Sequence, residues 1–276
     1  MARRIGIFDS GMGGLTLLDD LRGLDPDCEV IYLADTMNLP FGDKSDEEIA
    51  GITMAAYCYL VDQGIDALII GCNTADAVRT VSPNFDIFTT VPTIGVIDAT
   101  ARAAHRKTRS GVIGVVGTVA TIRSRAYEKV LSRYNDRLEV RAAACPKLGP
   151  LIHSCATHSS QLKTAVRAGI ACLDLSNGLD TLILGCTAYP LIQNLFQTSV
   201  PSSVKLVTSG RAVAWGVHRA LGPPPVDFSA VLSGSGVFLV TGNPAEFAVQ
   251  ARRLLGMSLK PQRVLLSPQP RRGQGD

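Results

Sequence analysis

The stretch DALIIGCNTADAV at 66–78 returns in kind as DTLILGCTAYPLI at 180–192. Each opens on an aspartate, runs through an apolar segment into Gly-Cys, and passes one or two hydrogen-bonding residues into a helical pattern. A chain that builds one strand-turn-helix unit twice, with a thiol at the same place, is constrained to a duplicated α/β plan. Other apolar runs fit that plan: RIGIFD, EVIYLAD, TIGVI, GVIGVVG, LEVRAAAC and VKLVTSG alternate with longer amphipathic stretches, as in parallel sheets of right-handed βαβ units. Continuous rather than alternating apolarity predicts strands buried on both faces.

RIGIFDSGMGG parallels GVIGVVGTVAT as DALIIGCNT parallels DTLILGCT, so two halves of similar design are expected, joined near 97–110. VPTIGV (91–96) and VKLVTSG (204–210) read as strands near the two crossings. The fold class is α/β with two similar doubly wound parallel-sheet domains. The first is expected over 1–97 plus 206–260, the second over 98–205. The remainder, 261–276, is rich in Pro, Gln, Arg and Gly and reads as a mobile tail.

At 276 residues the chain can bury a large core without covalent staples. Its seven cysteines are odd in number and scattered, with no C-x-x-C pair and four histidines in all, so neither a disulfide framework nor a metal cluster is indicated. A reducing, cytoplasmic compartment fits that usage. The apolar stretch after the N-terminal arginines ends at Asp9, too short for a signal peptide, and no run reaches the length of a membrane span. A net charge of +3 with dispersed cations argues against nucleic acid as the primary ligand.

Ligands of open parallel sheets gather at the carboxyl ends of strands. Asp9, Ser10, Cys72, Asn73, Thr74, Thr118, Cys186 and Thr187 fall there. A thiol between a strand end and a helix start faces unpaired amides, which is expected to lower its pKa toward neutrality. Cys28, Cys58, Cys155 and Cys172 lack polar company and read as packing residues. Two thiols on facing domains suit the removal of a proton from one face of a carbon and the return of a proton to the other. Asn, Ser and Thr nearby, with helix amides, can donate to the carboxylates of a small substrate.

The segments FDSGMGGLT, LPFGDKS, GCNTADA, IGVVGTVATIRSRAY, CPKLGPLI, LGCTAYPLI and FLVTGNPAEFAVQARRLLG, in this order and spacing, resemble the glutamate racemases of the cofactor-independent aspartate/glutamate racemase superfamily over nearly the whole chain. The resemblance implies an active site in the cleft between two α/β domains, interconversion of L- and D-glutamate for peptidoglycan, no cofactor, and a homodimer in one of several arrangements. It assigns Cys72 to the D-enantiomer, Cys186 to the L-enantiomer, and Asp9 as a helper beside the first thiol. Ser10, Pro40, Phe41, Gly42, Asn73, Thr74, Thr118 and Thr187 match substrate-contacting positions.

The second thiol departs from the pattern. Ala188 stands where the superfamily has histidine, and His153 where it has glutamate, positions that lie near one another in that group. Phe41 replaces a tyrosine, Asp76 a small residue and Thr208 an aspartate; Asp76 reads as favouring a helix first turn. Three readings stay open: a racemase in which His153 replaces the lost acid-base partner, a relative of altered substrate or weak activity, and a non-enzymatic binding or regulatory descendant. For His153 the alternative is a histidine that only packs or is solvated. Nucleotide binding is disfavoured, because GMGGLT carries Thr16 where a dinucleotide fingerprint needs its third glycine and no G-K-[ST] loop occurs. Here the glycines are expected to let the backbone turn tightly beneath Asp9 and Ser10. Pyridoxal phosphate is not expected, with Lys44 and Lys147 the nearest lysines to the motifs.

Overall fold

The computed structural model describes residues 2–82, 89–154, 160–224 and 236–266. Strands β1 (Arg4–Asp9), β2 (Glu29–Ala34), β3 (Ala67–Ile70), β4 (Thr93–Gly95), β5 (Val112–Gly117), β6 (Glu139–Ala144), β7 (Thr181–Gly185), β8 (Lys205–Val207), β9 (Gly236–Val240) and β10 (Gln262–Arg263) form two sheets. Their orders are β10-β9-β2-β1-β3-β4 and β6-β5-β7-β8, with every pairing parallel. The internal repeat is thereby explained: β2-β1-β3-β4 and β6-β5-β7-β8 are the same arrangement, and β9 and β10 extend only the first. The connecting segments carry α1 (Leu18–Leu24), α2 (Asp46–Asp62), α3 (Asn73–Val81), α4 (Val96–Lys107), α5 (Val119–Arg123), α6 (Ala126–Tyr134), α7 (Leu148–His153), α8 (Ser160–Ala171), α9 (Gln193–Gln197), α10 (Gly210–Leu221) and α11 (Pro244–Leu255).

The aspartates that open the matched motifs have matched uses. Asp66 Oδ2 accepts from the Arg4 amide at 2.8 Å, tying the start of β1. Asp180 accepts from the Arg109 and Ser110 amides at 2.7 and 2.9 Å and from Thr108 Oγ1 at 2.7 Å, tying the loop before β5. Partial burial opposes the Asp180 charge, yet these donors hold its pKa down at about 2.

The central strands β1, β3, β5 and β7 are buried almost throughout, which their continuous apolarity predicts, whereas the edge strand β6 is half exposed. The helix linking the sheets, α4, starts where Asp76 ends: Asp76 Oδ2 accepts from the Ile97 amide and Oδ1 from Arg79 Nε, both at 2.7 Å. Asp76 therefore lies in the first turn of α3 but serves the start of α4, and Gly95 beside it has no room for a side chain.

Two boundaries differ from expectation. Leu206 pairs with Leu182 and Val207 with Ile183, so the return to the first sheet comes after 207 rather than at 205/206. The expected tail from 261 instead adds β10 to the edge of β9, because Gln262 and Arg263 pair with Leu239 and Val240; residues 267–276 lie outside the described residues. Among the described residues no helix is long and apolar enough to cross a membrane.

Candidate active site

Each sheet reverses direction of winding at its centre, β1 and β5, and the ends of these strands and of their neighbours β3 and β7 meet at one cavity of about 390 Å³. Asp9 ends β1, Thr118 follows β5, Cys72 follows β3 and Cys186 follows β7. The cavity brings together all the residues singled out from sequence: Asp9, Ser10, Pro40, Phe41, Gly42, Cys72, Asn73, Thr74, Thr118, His153, Cys186 and Thr187, with Ala188 beside them. Cys28 is buried in the core, Cys58 is half-buried on α2, Cys172 is exposed, and Cys155 lies outside the described residues.

The matched motifs give the thiols matched surroundings. Cys72 is aimed at by the Ala75 and Ser10 amides, Cys186 by those of Ala188 and Tyr189. Cys72 Sγ also donates to Ser10 Oγ at 3.2 Å. The expected depression of thiol pKa is nevertheless reversed: burial pushes Cys72 up to about 11 and Cys186 up to about 12. Desolvation of a thiolate outweighs two amide dipoles, and the Asp9 charge pushes both in the same direction. After Cys186 the chain passes through a short 3-10 turn, Tyr189–Ile192, before α9 begins at Gln193, so the second thiol lacks an α-helix starting directly after it, as α3 starts after Cys72.

Asp9 is 2% exposed. Its Oδ1 accepts from the Gly11 amide at 2.8 Å and Oδ2 from Thr187 Oγ1 at 2.9 Å, a bond between the two halves. Burial raises its pKa from 3.8 to about 6 against these donors, so the group is a carboxylate at neutral pH held at some cost. The folded state holds this proton more tightly than the unfolded chain, so ionisation of Asp9 subtracts stability as pH rises from 3.8 through 6. Asp9→Asn should melt higher than the native chain at pH 8, by the equivalent of about 1–3 kcal/mol, and the gap should close as pH falls toward 4. A gap independent of pH would show that Asp9 is not the titrating group.

The glycines of GMGG work differently from expectation. None of Gly11, Gly13 and Gly14 has positive φ; they admit close neighbours instead. A methyl group on Gly13 would sit 2.5 Å from Thr187 Oγ1 and 2.9 Å from the Ala188 nitrogen, so the first half abuts the second thiol motif at this point. Thr16 Oγ1 donates to Thr187 O at 3.0 Å across the same contact. A methyl on Gly11 would lie 3.1 Å from His153 Cε1, which puts that ring over the turn following Asp9. Burial lowers the His153 pKa, leaving the imidazole neutral at pH 7. Phe41 packs its ring on Phe8, with centroids 6.4 Å apart.

Sequence reasoning misses three residues here. Thr121 closes a hydroxyl triad with Thr74 and Thr118 (Thr74 to Thr118 3.0 Å, Thr118 to Thr121 2.9 Å), and the three-residue spacing in TVAT was its signal. Cys145 lines the cavity and is buried. Tyr127 donates to Asn73 Oδ1 at 2.7 Å, and no local pattern marks it. Among the described residues that line the cavity there is no lysine or arginine; Lys147 faces a different cavity, beside α8.

The sequence model of the Asp/Glu/hydantoin racemase family matches residues 16–217. A glutamate racemase of Exiguobacterium sibiricum is 35% identical over 265 residues, 92% of this chain and 97% of that protein. Among solved structures, a glutamate racemase isoform of Bacillus anthracis superposes with a TM-score of 0.86 at 31% identity, covering 96% of this chain and 98% of the other. The glutamate racemase of Francisella tularensis, solved in complex with D-glutamate, gives 0.83 at 27% identity over 96% and 98%.

Proposed function

The chain belongs to the Asp/Glu/hydantoin racemase family, and from that premise we propose that it interconverts L- and D-glutamate with two thiols acting on opposite faces of the α-carbon. The observation that carries this reading is the convergence of Cys72 and Cys186, from matched strand ends of the two sheets, on one cavity. Cys72 as thiolate takes the α-proton of D-glutamate; the S–H bond forms as the C–H bond breaks, and the electron pair passes into the α-carboxylate. The Cys186 thiol delivers its proton to the other face and is left as thiolate, so L-glutamate departs and the reverse reaction starts from the opposite protonation state.

Burial and the Asp9 charge both oppose a thiolate at Cys72 and at Cys186. Among the described lining residues none is a lysine or arginine; the substrate's α-ammonium brings a cation beside Asp9 and favours ionisation of one thiol, whose proton passes to solvent. The substrate carboxylates then fall to neutral donors: Asn73, the Thr74 and Thr118 hydroxyls, which Thr121 braces, and the strand-end amides. That none of the described lining residues is a lysine favours chemistry without pyridoxal phosphate. The reading extends to a cytoplasmic supply of D-glutamate for peptidoglycan and to a homodimer.

The test is conversion of each glutamate enantiomer, followed by chiral separation, in protein free of chromophore and treated with a carbonyl reagent. Equal kcat/KM in the two directions, insensitive to the reagent, is expected. A bound aldimine chromophore, or turnover of aspartate but not glutamate, would overturn the reading. Ala188, in place of a family histidine, favours slow turnover over full activity.

A further inference from the structure

Asn73 is 2% exposed, lines the cavity, and leaves its Nδ2 without a partner in the protein. A buried donor left bare is costly, so something must hold it in that orientation. The other end of the carboxamide supplies the cause, because Oδ1 is occupied by the Tyr127 hydroxyl at 2.7 Å.

Tyr127 is well built for this. It is 1% exposed and sits in the first turn of α6, two residues after Arg125, whose φ of 53° turns the chain between α5 and α6. Its ring lies under Gly185, where a methyl would come 3.2 Å from Tyr127 Cε2. One side chain of the second half thus touches the residue before Cys186 and bonds the residue after Cys72. Burial holds the phenol far above its ordinary pKa, so it remains a donor at any working pH.

We propose that Tyr127 is a positioning residue for substrate binding, fixing the Asn73 carboxamide so that Nδ2 is free to donate to a substrate carboxylate. This rests on the function proposed above. Without the phenol proton the carboxamide gains nothing from keeping Oδ1 away from the cavity, and the orientation that presents Oδ1 to the substrate sets acceptor against acceptor.

Tyr127→Phe removes only the oxygen. It should raise KM for both glutamate enantiomers about tenfold, the scale of one neutral hydrogen bond, with kcat changed less than about twofold and kcat/KM falling equally in both directions. Asn73→Ala should raise KM at least as far, and Tyr127→Phe added to it should have no further effect on KM. A phenol that merely props α6 would instead lower Tm and activity in both backgrounds. Unchanged KM in Tyr127→Phe, or additive effects in the double variant, would overturn the proposal. Native protein is the control throughout: failure of the native chain to turn over glutamate counts against the function, whereas an indifferent Tyr127→Phe beside an active control counts against Tyr127 alone.

Discussion

Replacing Cys72 with alanine should lower racemisation in both directions by on the order of a thousandfold, and replacing Cys186 should do the same, yet the two variants should fail differently. In the proposed mechanism each thiol serves one face of the α-carbon, so loss of either stops inversion. The surviving thiol can still lift and return a proton on its own face. Cys72→Ala should retain exchange of the L-glutamate α-hydrogen in deuterated water and lose that of D-glutamate; Cys186→Ala should retain the D exchange and lose the L. Neither substitution should unfold the protein, since both side chains border the cavity and each loses only its sulfur atom. Proton NMR of the α-position, with chiral analysis of the same samples, reads both quantities. Near-native racemisation in either variant would remove that thiol from the mechanism, and exchange of both enantiomers by a single-thiol variant would remove the assignment of faces.

The fold was largely legible in the sequence, because burial on two faces writes parallel strands as unbroken apolar runs and the chain wrote the unit twice. Eight such runs became β1 to β8. What escaped detection depends on contacts between distant segments. β9 joins the sheet beside β2, a pairing across about 200 residues that no local periodicity encodes, and β10 is two exposed polar residues. The site residues were legible as strand-end motifs, but their electrostatics were not. Whether amide dipoles or desolvation decides a thiol's pKa depends on how completely the second half covers it. The role of Gly13 had the same origin: only the approach of Thr187, from the other half, explains why a side chain has no room there. Tyr127 was hidden because an aromatic residue in a helical pattern reads as core, which most of its ring is.

Ala188 stands where the resemblance to the glutamate racemases places a histidine, and the expected consequence is a reaction limited at Cys186. Ala188 is 2% exposed and borders the cavity, so its methyl offers this thiol packing without acid-base help. His153 opens onto the same cavity, neutral at pH 7 and able to accept a proton, and we propose that it takes over that task from its position above Gly11. Loss of an acid-base partner costs about a hundredfold or more in rate, so His153→Ala should lower racemisation on that scale, and Ala188→His should raise it if the missing partner sets the pace. The defect cannot appear as unequal kcat/KM, because the enantiomers have equal free energy in water and the ratio is fixed at unity. It should appear in exchange: with Cys72 sound and Cys186 sluggish, D-glutamate loses its α-hydrogen to solvent faster than it racemises, whereas L-glutamate shows no such excess. Equal exchange excess from both enantiomers, together with a silent His153→Ala, would falsify the substitution of one histidine for the other and leave His153 as a packing residue over the Asp9 turn.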